Sequence, residues 1–158
     1  MALEIEKKFL VKGDYKACAF GAVRICQGYL CSAPERSVRV RIRDGRGFLT
    51  IKGSGNESGA ARFEWEKEIP LEDARELLKI AEPGAIDKTR YLVHNSDGIH
   101  TWEVDEFYGD NEGLTVAEIE LSDENEPFDR PDWIGEEVTG DPRYYNAALT
   151  KNPYKNWK

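Results

Sequence analysis

The sequence predicts an α+β protein, mainly β, in which an eight-stranded antiparallel closed barrel has a charged interior and a few covering helices. In four short segments, residues 4–8, 39–43, 62–66 and 118–121, charged residues occupy every second position and apolar residues fill the gaps. A period of two is typical of β-strands, so each segment has one charged and one apolar face. The charge is dense and of both signs, which indicates that these faces enclose a polar cavity that binds a ligand.

Length and composition limit the class of protein. A chain of 158 residues fits one domain over residues 1–158. With 22 Lys and Arg against 30 Asp and Glu, the net charge of -8 argues against general affinity for nucleic acid or an anionic membrane. Apolar stretches are short and the N-terminus is charged from Glu4, so we expect a cytoplasmic protein without a membrane span. Cys18, Cys26 and Cys31 are expected to be reduced structural thiols, since their spacing forms no zinc motif.

Eight runs of period two supply the strands of the predicted barrel. They lie at about residues 3–11, 24–31, 37–43, 47–52, 62–69, 88–94, 100–107 and 115–121. Turn chemistry separates them, and Asn95-Ser96-Asp97-Gly98 is typical of a hairpin, so antiparallel pairing is favoured. Eight such strands can close around one small ligand, and closure leaves no sheet edge.

Helical patterns are few. Apolar residues of the segment 71–81 share one face after Pro70, which predicts a helix there. Asp141-Pro142 predicts a cap and first turn of a short helix through Leu149, and residues 12–23 are expected to hold another short helix. The acidic segment 122–137 is interpreted as a solvated loop.

The barrel is expected to be inside out, with apolar faces pointing outward. Phe63, Trp65 and Trp102 would then form an exposed patch. We expect the helix over 71–81 and the C-terminal segment, or a partner subunit, to cover it. A homodimer is therefore left open.

The N-terminal charged face suggests a metal site. Glu4, Glu6 and Lys8 also suit a helix with an i,i+4 pair, but apolar residues on the odd positions favour a strand. Two carboxylates one pleat apart are a plausible start for a hard divalent cation site. A solvated strand face is the alternative.

The basic residues suggest a phosphate site. Arg39 and Arg41 share a strand face, and Lys52 follows across the predicted hairpin. Guanidinium groups match phosphate oxygens, so a compact phosphate-rich anion is favoured over nucleic acid, although a solvated face again stays open. The predicted interior is nearly balanced in sign. Its acids are Glu4, Glu6, Glu64, Glu66, Glu103, Asp105, Glu118 and Glu120, and its bases are Lys8, Arg39, Arg41, Lys52, Arg62, Lys88 and Arg90.

An ordered set of motifs resembles the CYTH superfamily of triphosphate tunnel metalloenzymes. The Glu-x-Glu-x-Lys at Glu4, Glu6 and Lys8 matches that superfamily's N-terminal signature. The supporting motifs are Gln27-Gly28-Tyr29-Leu30, Arg39-Val40-Arg41, Thr50-Ile51-Lys52, Arg62-x-Glu64-x-Glu66, Lys88-x-Arg90-Tyr91, Glu103-Val104-Asp105, Glu118-x-Glu120 and a tail through Arg143-Tyr144-Tyr145-Asn146 that is similar to short bacterial members.

The resemblance implies an eight-stranded tunnel that binds triphosphate with Mg²⁺ or Mn²⁺. It implies that Glu4, Glu6 and one or both of Glu118 and Glu120 hold the metal. The implied phosphate ligands are Lys8, Arg39, Arg41, Lys52, Lys88 and Arg90. The residues implied to support them are Arg62, Glu64, Glu66, Glu103 and Asp105. The acids of this second set would orient the bases or hold a second metal. Tyr29 with Lys88 would position the attacking water; a core tyrosine and a plain phosphate-binding lysine are the alternatives.

The expected function is metal-dependent hydrolysis of inorganic tripolyphosphate. Nucleoside or thiamine triphosphate hydrolysis and adenylate cyclisation are the nearest alternatives, and the absence of a separate base-binding motif favours the inorganic substrate. A non-catalytic polyphosphate-binding module is disfavoured, because acids among the bases do not help pure anion binding. A structural barrel with solvated charges is a third possibility.

Overall fold

The computed structural model describes residues 2–157, which form nine strands and two α-helices. The strands are β1 Ala2–Val11, β2 Ala19–Cys31, β3 Arg36–Arg43, β4 Arg46–Gly55, β5 Ala61–Ile69, β6 Ile86–His94, β7 Thr101–Phe107, β8 Thr115–Glu120 and β9 Ile134–Glu137. The helices are α1 Leu71–Lys79 and α2 Asn146–Lys151, with 3₁₀ turns at Lys16–Cys18, Gly109–Asn111, Pro142–Tyr144 and Tyr154–Asn156.

The first eight strands close into an antiparallel barrel. Their order is β5-β4-β3-β2-β6-β7-β8-β1, and β5 pairs with β1 to complete the ring. The closing ladder joins Glu4 to Arg62, while the other edge of β1 places Glu6 opposite Glu120 and Lys8 opposite Glu118. The predicted closed barrel is confirmed.

The segments between the runs differ from the predictions in two places. The prediction of a short helix over residues 12–23 is wrong, since the structure has only one 3₁₀ turn in that segment. The reason is that β2 begins at Ala19 and pairs with β6 from that residue. The segment 122–137 is not loop throughout. Its end forms β9, which pairs with the last residues of β1, beyond the point where β5 leaves that edge.

Helix α1 covers the outer face of β2, β3 and β4. Its apolar face, predicted from the spacing, includes the fully buried Ala74. A Cβ on Gly47 would lie 2.7 Å from the Cβ of Ala74, and one on Gly28 would lie 3.0 Å from that of Ala81. The two glycines therefore let the helix approach the sheet closely.

An aromatic cluster covers the outer face of β1, β7 and β8. Trp102, predicted to point outward, is 0% exposed, because Phe9, Phe128 and Trp133 surround its ring at centroid distances of 5.5 to 5.8 Å. The cover thus comes from the segment 122–134. The expectation that helix 71–81, the C-terminal segment or a partner would cover Trp102 is wrong for this residue.

The C-terminal segment instead packs at one end of the barrel interior. Tyr144 and Leu149 belong to a buried apolar cluster with Ile86, Phe107 and Val116. These three strand residues lie on the same inward face as the interior charges, further along the strands. The barrel interior is therefore charged at one end and apolar at the other.

One strip of the outer surface stays uncovered. Leu3 on β1 is 65% exposed and lies opposite Phe63 on β5, and Trp65 is 43% exposed. Phe63 and Trp65 belong to the patch for which the sequence analysis left a homodimer open, and that possibility stays untested. Among residues 2–157, no helix is long and apolar enough to cross a membrane.

His100 links the β6–β7 turn to the acidic segment and makes stability depend on pH. Its Nδ1 lies 2.7 Å from Asp97 Oδ2, its Nε2 contacts Glu126, and the Phe128 ring packs against it. These carboxylates raise the pKa of His100, while hydrogen bonds from Ser122 and His100 hold the pKa of Glu126 at about 2. A raised folded-state pKa contributes stability that is complete below the unfolded value of about 6.5 and is lost as pH rises through the folded value.

We therefore expect the melting temperature of the wild type to fall relative to that of His100→Gln as pH rises from about 6.5 through the raised folded-state pKa of His100. Differential scanning fluorimetry of both proteins over this range checks it. His94→Gln is the matched control, since His94 is exposed and stacks on Phe20. A wild-type advantage that does not change with pH would contradict the prediction.

Candidate active site

A cavity of about 810 Å³ inside the barrel collects most of the predicted site residues. The predicted residues that line it are Glu4, Glu6, Lys8, Tyr29, Arg39, Arg41, Lys52, Arg62, Glu64, Glu66, Arg90, Glu103, Glu118 and Glu120. They come from all eight strands of the barrel, and their alternation along each strand turns them inward. The period-two pattern predicted this enclosed face.

Most of the basic side chains are held by acidic neighbours. Lys52 Nζ lies 2.9 Å from Glu4 Oε1 and 3.4 Å from Glu64. Arg39 donates to Thr50 Oγ1 at 3.2 Å, and Thr50 in turn donates to Glu66 at 2.8 Å. Such contacts fix the direction of each cation before an anion binds.

Lys88 and Asp105 lie in the wall behind this lining. Lys88 is 0% exposed, and its Nζ donates to Asp105 Oδ2 at 2.7 Å and to Asn146 Oδ1 at 3.2 Å. Asp105 also accepts two bonds from Arg90, at 2.8 and 2.9 Å. Because its oxygens are engaged by two cations, Asp105 suits the predicted role of orienting bases better than that of a second metal ligand.

Arg41 has a different environment from the other bases. Within the residues that the structure describes, its guanidinium has no hydrogen bond or ion pair, and its buried Nε has no partner. Burial, together with Arg39 and Arg90, lowers the pKa of Arg41 to about 9. A buried cation without a counter-ion is an arrangement that favours an incoming anion.

The carboxylates crowd one another around Glu6. Burial raises the pKa of Glu6 well above its ordinary range, and Glu118 and Glu4 raise it further. Burial acts in the same direction on Glu118, but Lys8 and a hydrogen bond with Glu6 bring the pKa of Glu118 well below its ordinary value. Glu6 therefore favours its protonated form, while Glu118 favours its ionised form.

This carboxyl pair tests whether the site suits a metal. Across residues 2–157, no three His, Cys, Asp or Glu side chains stand in an arrangement that could hold a metal ion, and Glu4 is paired with Lys52. The chemistry of the pair nevertheless fits a hard divalent cation, which prefers carboxylate oxygens and could take the place of the proton on Glu6. Whether Glu4 and Glu120 complete the ligand set stays a prediction.

Tyr29 and Lys88, predicted to position water, are not brought into contact. Tyr29 lines the cavity, whereas Lys88 reaches it through Asn146, which also lines it. Burial lowers the pKa of Lys88 to about 7, with Arg90 and Arg41 contributing and Asp105 opposing. The amine is therefore partly neutral near neutral pH.

The C-terminal segment supplies cavity residues that the sequence analysis missed. Tyr145, Asn146 and Lys151 line the cavity. The Tyr145 ring lies 5.3 Å from Lys8 Nζ and 5.6 Å from the guanidinium carbon of Arg62, distances typical of cation–π contacts. The tail motif through Asn146 was the available signal. Arg43 also lines the cavity, and its place on the face of Arg39 and Arg41 could have identified it.

Comparison with known proteins gives a consistent picture. The model of the CYTH domain matches residues 2–145. A protein named inorganic triphosphatase from Acetivibrio thermocellus is 54% identical over 160 residues, covering 100% of this chain and 99% of its own length.

Two further likenesses extend over nearly the whole chain. An inorganic triphosphatase from Nitrosomonas europaea is 38% identical over 92% of this chain and 95% of its own length. A solved structure of an inorganic triphosphatase superposes with a TM-score of 0.68 at 35% identity, covering 93% of this chain and 97% of the other. The barrel, its charged cavity and these matches lead to one conclusion: the chain belongs to the CYTH domain family.

Proposed function

We propose that this protein is a metal-dependent inorganic triphosphatase that hydrolyses tripolyphosphate inside the barrel. The observation that carries the proposal is the barrel cavity, which carboxylates and buried cations line together. Among residues 2–157, one of those cations, Arg41, has a buried Nε without a partner. Both curated relatives described above carry the name inorganic triphosphatase, at 54% and 38% identity. The buried cations of the lining suit a compact polyanion, and its carboxylates suit a divalent cation.

The proposed roles follow from the contacts. Lys8, Arg39, Arg41, Lys52 and Arg90 bind the phosphate oxygens, and the acids that hold them set their directions. Glu6 and Glu118, with Glu4 and Glu120 as further candidates, would hold Mg²⁺ or Mn²⁺. Once bound, that ion would polarise the phosphoryl group and offset charge on its oxygens.

Water is the proposed nucleophile. Tyr29 is proposed to orient it, since its phenol lines the cavity and can both donate and accept a hydrogen bond. Lys88 is proposed as a positioning residue, because it reaches the cavity by way of Asn146 and anchors Asp105, which fixes Arg90. The phosphate-binding cations are themselves buried in the cavity wall, and these low-dielectric surroundings strengthen their attraction for an anion.

A phosphate-release panel tests the proposed function. We expect rapid orthophosphate release from tripolyphosphate with Mg²⁺ or Mn²⁺, slower release from ATP and thiamine triphosphate, and loss of turnover in EDTA. The same samples are assayed for cyclic AMP. Cyclic AMP from ATP with intact tripolyphosphate would contradict the proposal, and so would metal-independent binding of tripolyphosphate without any turnover.

A further inference from the structure

Gln27 carries two buried polar atoms without partners. It is 0% exposed on β2, and among residues 2–157 neither its Nε2 nor its Oε1 has a hydrogen-bond partner. It belongs to the inward face, since Tyr29, two residues further, lines the cavity. A buried amide without hydrogen bonds is destabilising. In the wall of a binding cavity, such a side chain indicates that it gains a hydrogen-bond partner when a ligand is bound.

Arg41 is the cross-strand neighbour of Gln27. The β2–β3 ladder pairs the two residues directly, and side chains in such pairs have Cβ atoms about 4.5–5.5 Å apart. The buried Nε of Arg41 is a donor without an acceptor, and Oε1 of Gln27 is an acceptor without a donor. The unmatched atoms of the two residues are therefore complementary.

The neutrality of Gln27 suits a position beside a phosphate-binding guanidinium. Other cations of the site contact carboxylates, as Lys52 does with Glu4 and Arg90 with Asp105. A carboxylate in the place of Gln27 would neutralise Arg41 and repel a phosphate group. An amide can orient the guanidinium while leaving its charge available.

We propose that Gln27 is a positioning residue for Arg41 that acts when triphosphate binds. Its Oε1 accepts a hydrogen bond from Arg41 Nε, and this bond directs the two Nη groups toward phosphate oxygens. The inference rests on the proposed function and adds to it a residue that determines how the anion is held.

Gln27→Leu separates this role from a structural one. We expect the free variant to melt at or above the wild-type temperature, because the substitution removes two unpaired buried polar atoms. We expect kcat/KM for tripolyphosphate to fall roughly ten- to hundredfold, mainly because KM rises. This is the effect expected from the loss of one hydrogen bond to a charged group. A lower melting temperature, as expected if Gln27 held a structural water, or an unchanged kcat/KM, overturns the proposal.

Gln27→Glu is the second variant and tests the requirement for neutrality. A glutamate is expected to pair with Arg41, so the free protein keeps its melting temperature while tripolyphosphate activity is lost. Wild-type activity in this variant overturns the proposal. Trp102→Phe is the matched control: it removes another buried unpartnered donor, but on the outer face, and kcat/KM should not change.

Binding in EDTA keeps this test independent of turnover. Tripolyphosphate without metal is expected to raise the melting temperature of the wild type, to raise that of Gln27→Leu less, and to leave Gln27→Glu unchanged. If the wild type binds tripolyphosphate but does not hydrolyse it, the proposed function fails while these shifts still decide the role of Gln27. Equal shifts in all three proteins overturn that role.

Discussion

Glu6→Gln is expected to lower triphosphatase activity about a hundredfold or more at saturating Mg²⁺. Gln has the same shape but lacks the anionic oxygen that a divalent cation prefers. The free variant should be at least as stable as the wild type, because Glu6 is buried beside Glu118 and Glu4 and the substitution removes a carboxylate from that group. Loss of activity without loss of stability would locate the effect at the metal.

The measurement combines phosphate release with the thermal shift caused by Mn²⁺. We expect the Mn²⁺ shift to shrink along with the rate. Glu76→Gln is the matched control, since Glu76 is an exposed residue of α1 that pairs with Lys79 outside the cavity. A Glu6→Gln variant that retains full activity and the full Mn²⁺ shift would remove Glu6 from the proposed metal site.

Asp105→Asn is expected to destabilise the protein by about 3–5 kcal/mol, the usual effect of removing one partner from a buried ion pair. The Asp105 side chain is 2% exposed and holds both Lys88 and Arg90. Its loss leaves the buried Lys88 without its carboxylate partner, while Arg90 keeps Glu103 at 3.3 Å. Lys88, with its pKa lowered to about 7, can release its proton and lessen the effect. The melting temperature should fall by roughly 10 °C, and activity should fall because Arg90 loses its direction.

Urea unfolding and phosphate release on the same samples check this prediction. Asp87→Asn is a matched control, because Asp87 also binds an arginine, Arg24, through two short hydrogen bonds, but on the surface. Solvent screens that pair, so little change is expected. Similar unfolding midpoints for Asp105→Asn and wild type would show that Asp105 does not anchor the interior cations.

The strands and their inward faces could be predicted because alternation is a local property. On β1, the alternating residues Glu4, Glu6 and Lys8 point inward by the geometry of the strand alone. The same reasoning placed Arg39 and Arg41 together. Strand boundaries were less predictable: β2 begins at Ala19, ahead of the charged alternation, because pairing with β6 continues there.

Contacts between distant segments could not be predicted in the same way. The sequence does not show that the aromatic cover of Trp102 comes from the segment 122–134, or that Tyr145 and Asn146 enter the cavity. Both depend on where a segment without strong periodicity packs after the barrel has closed. The tail motif was recognised, but its residues had no role until the structure placed Tyr144 beside Lys8 and Asn146 beside Lys88.

The sequence by itself determined the barrel, its enclosed charges and the kind of ligand they suit, because a period of two assigns every side chain to one face of a strand. Only the tertiary structure decided which of those charges are already paired. It places Lys88 and Asp105 behind the lining, joins Glu6 to Glu118, and leaves Arg41 and Gln27 without partners within residues 2–157. Pairing depends on distances between side chains of different strands, and those distances exist only once the barrel is closed.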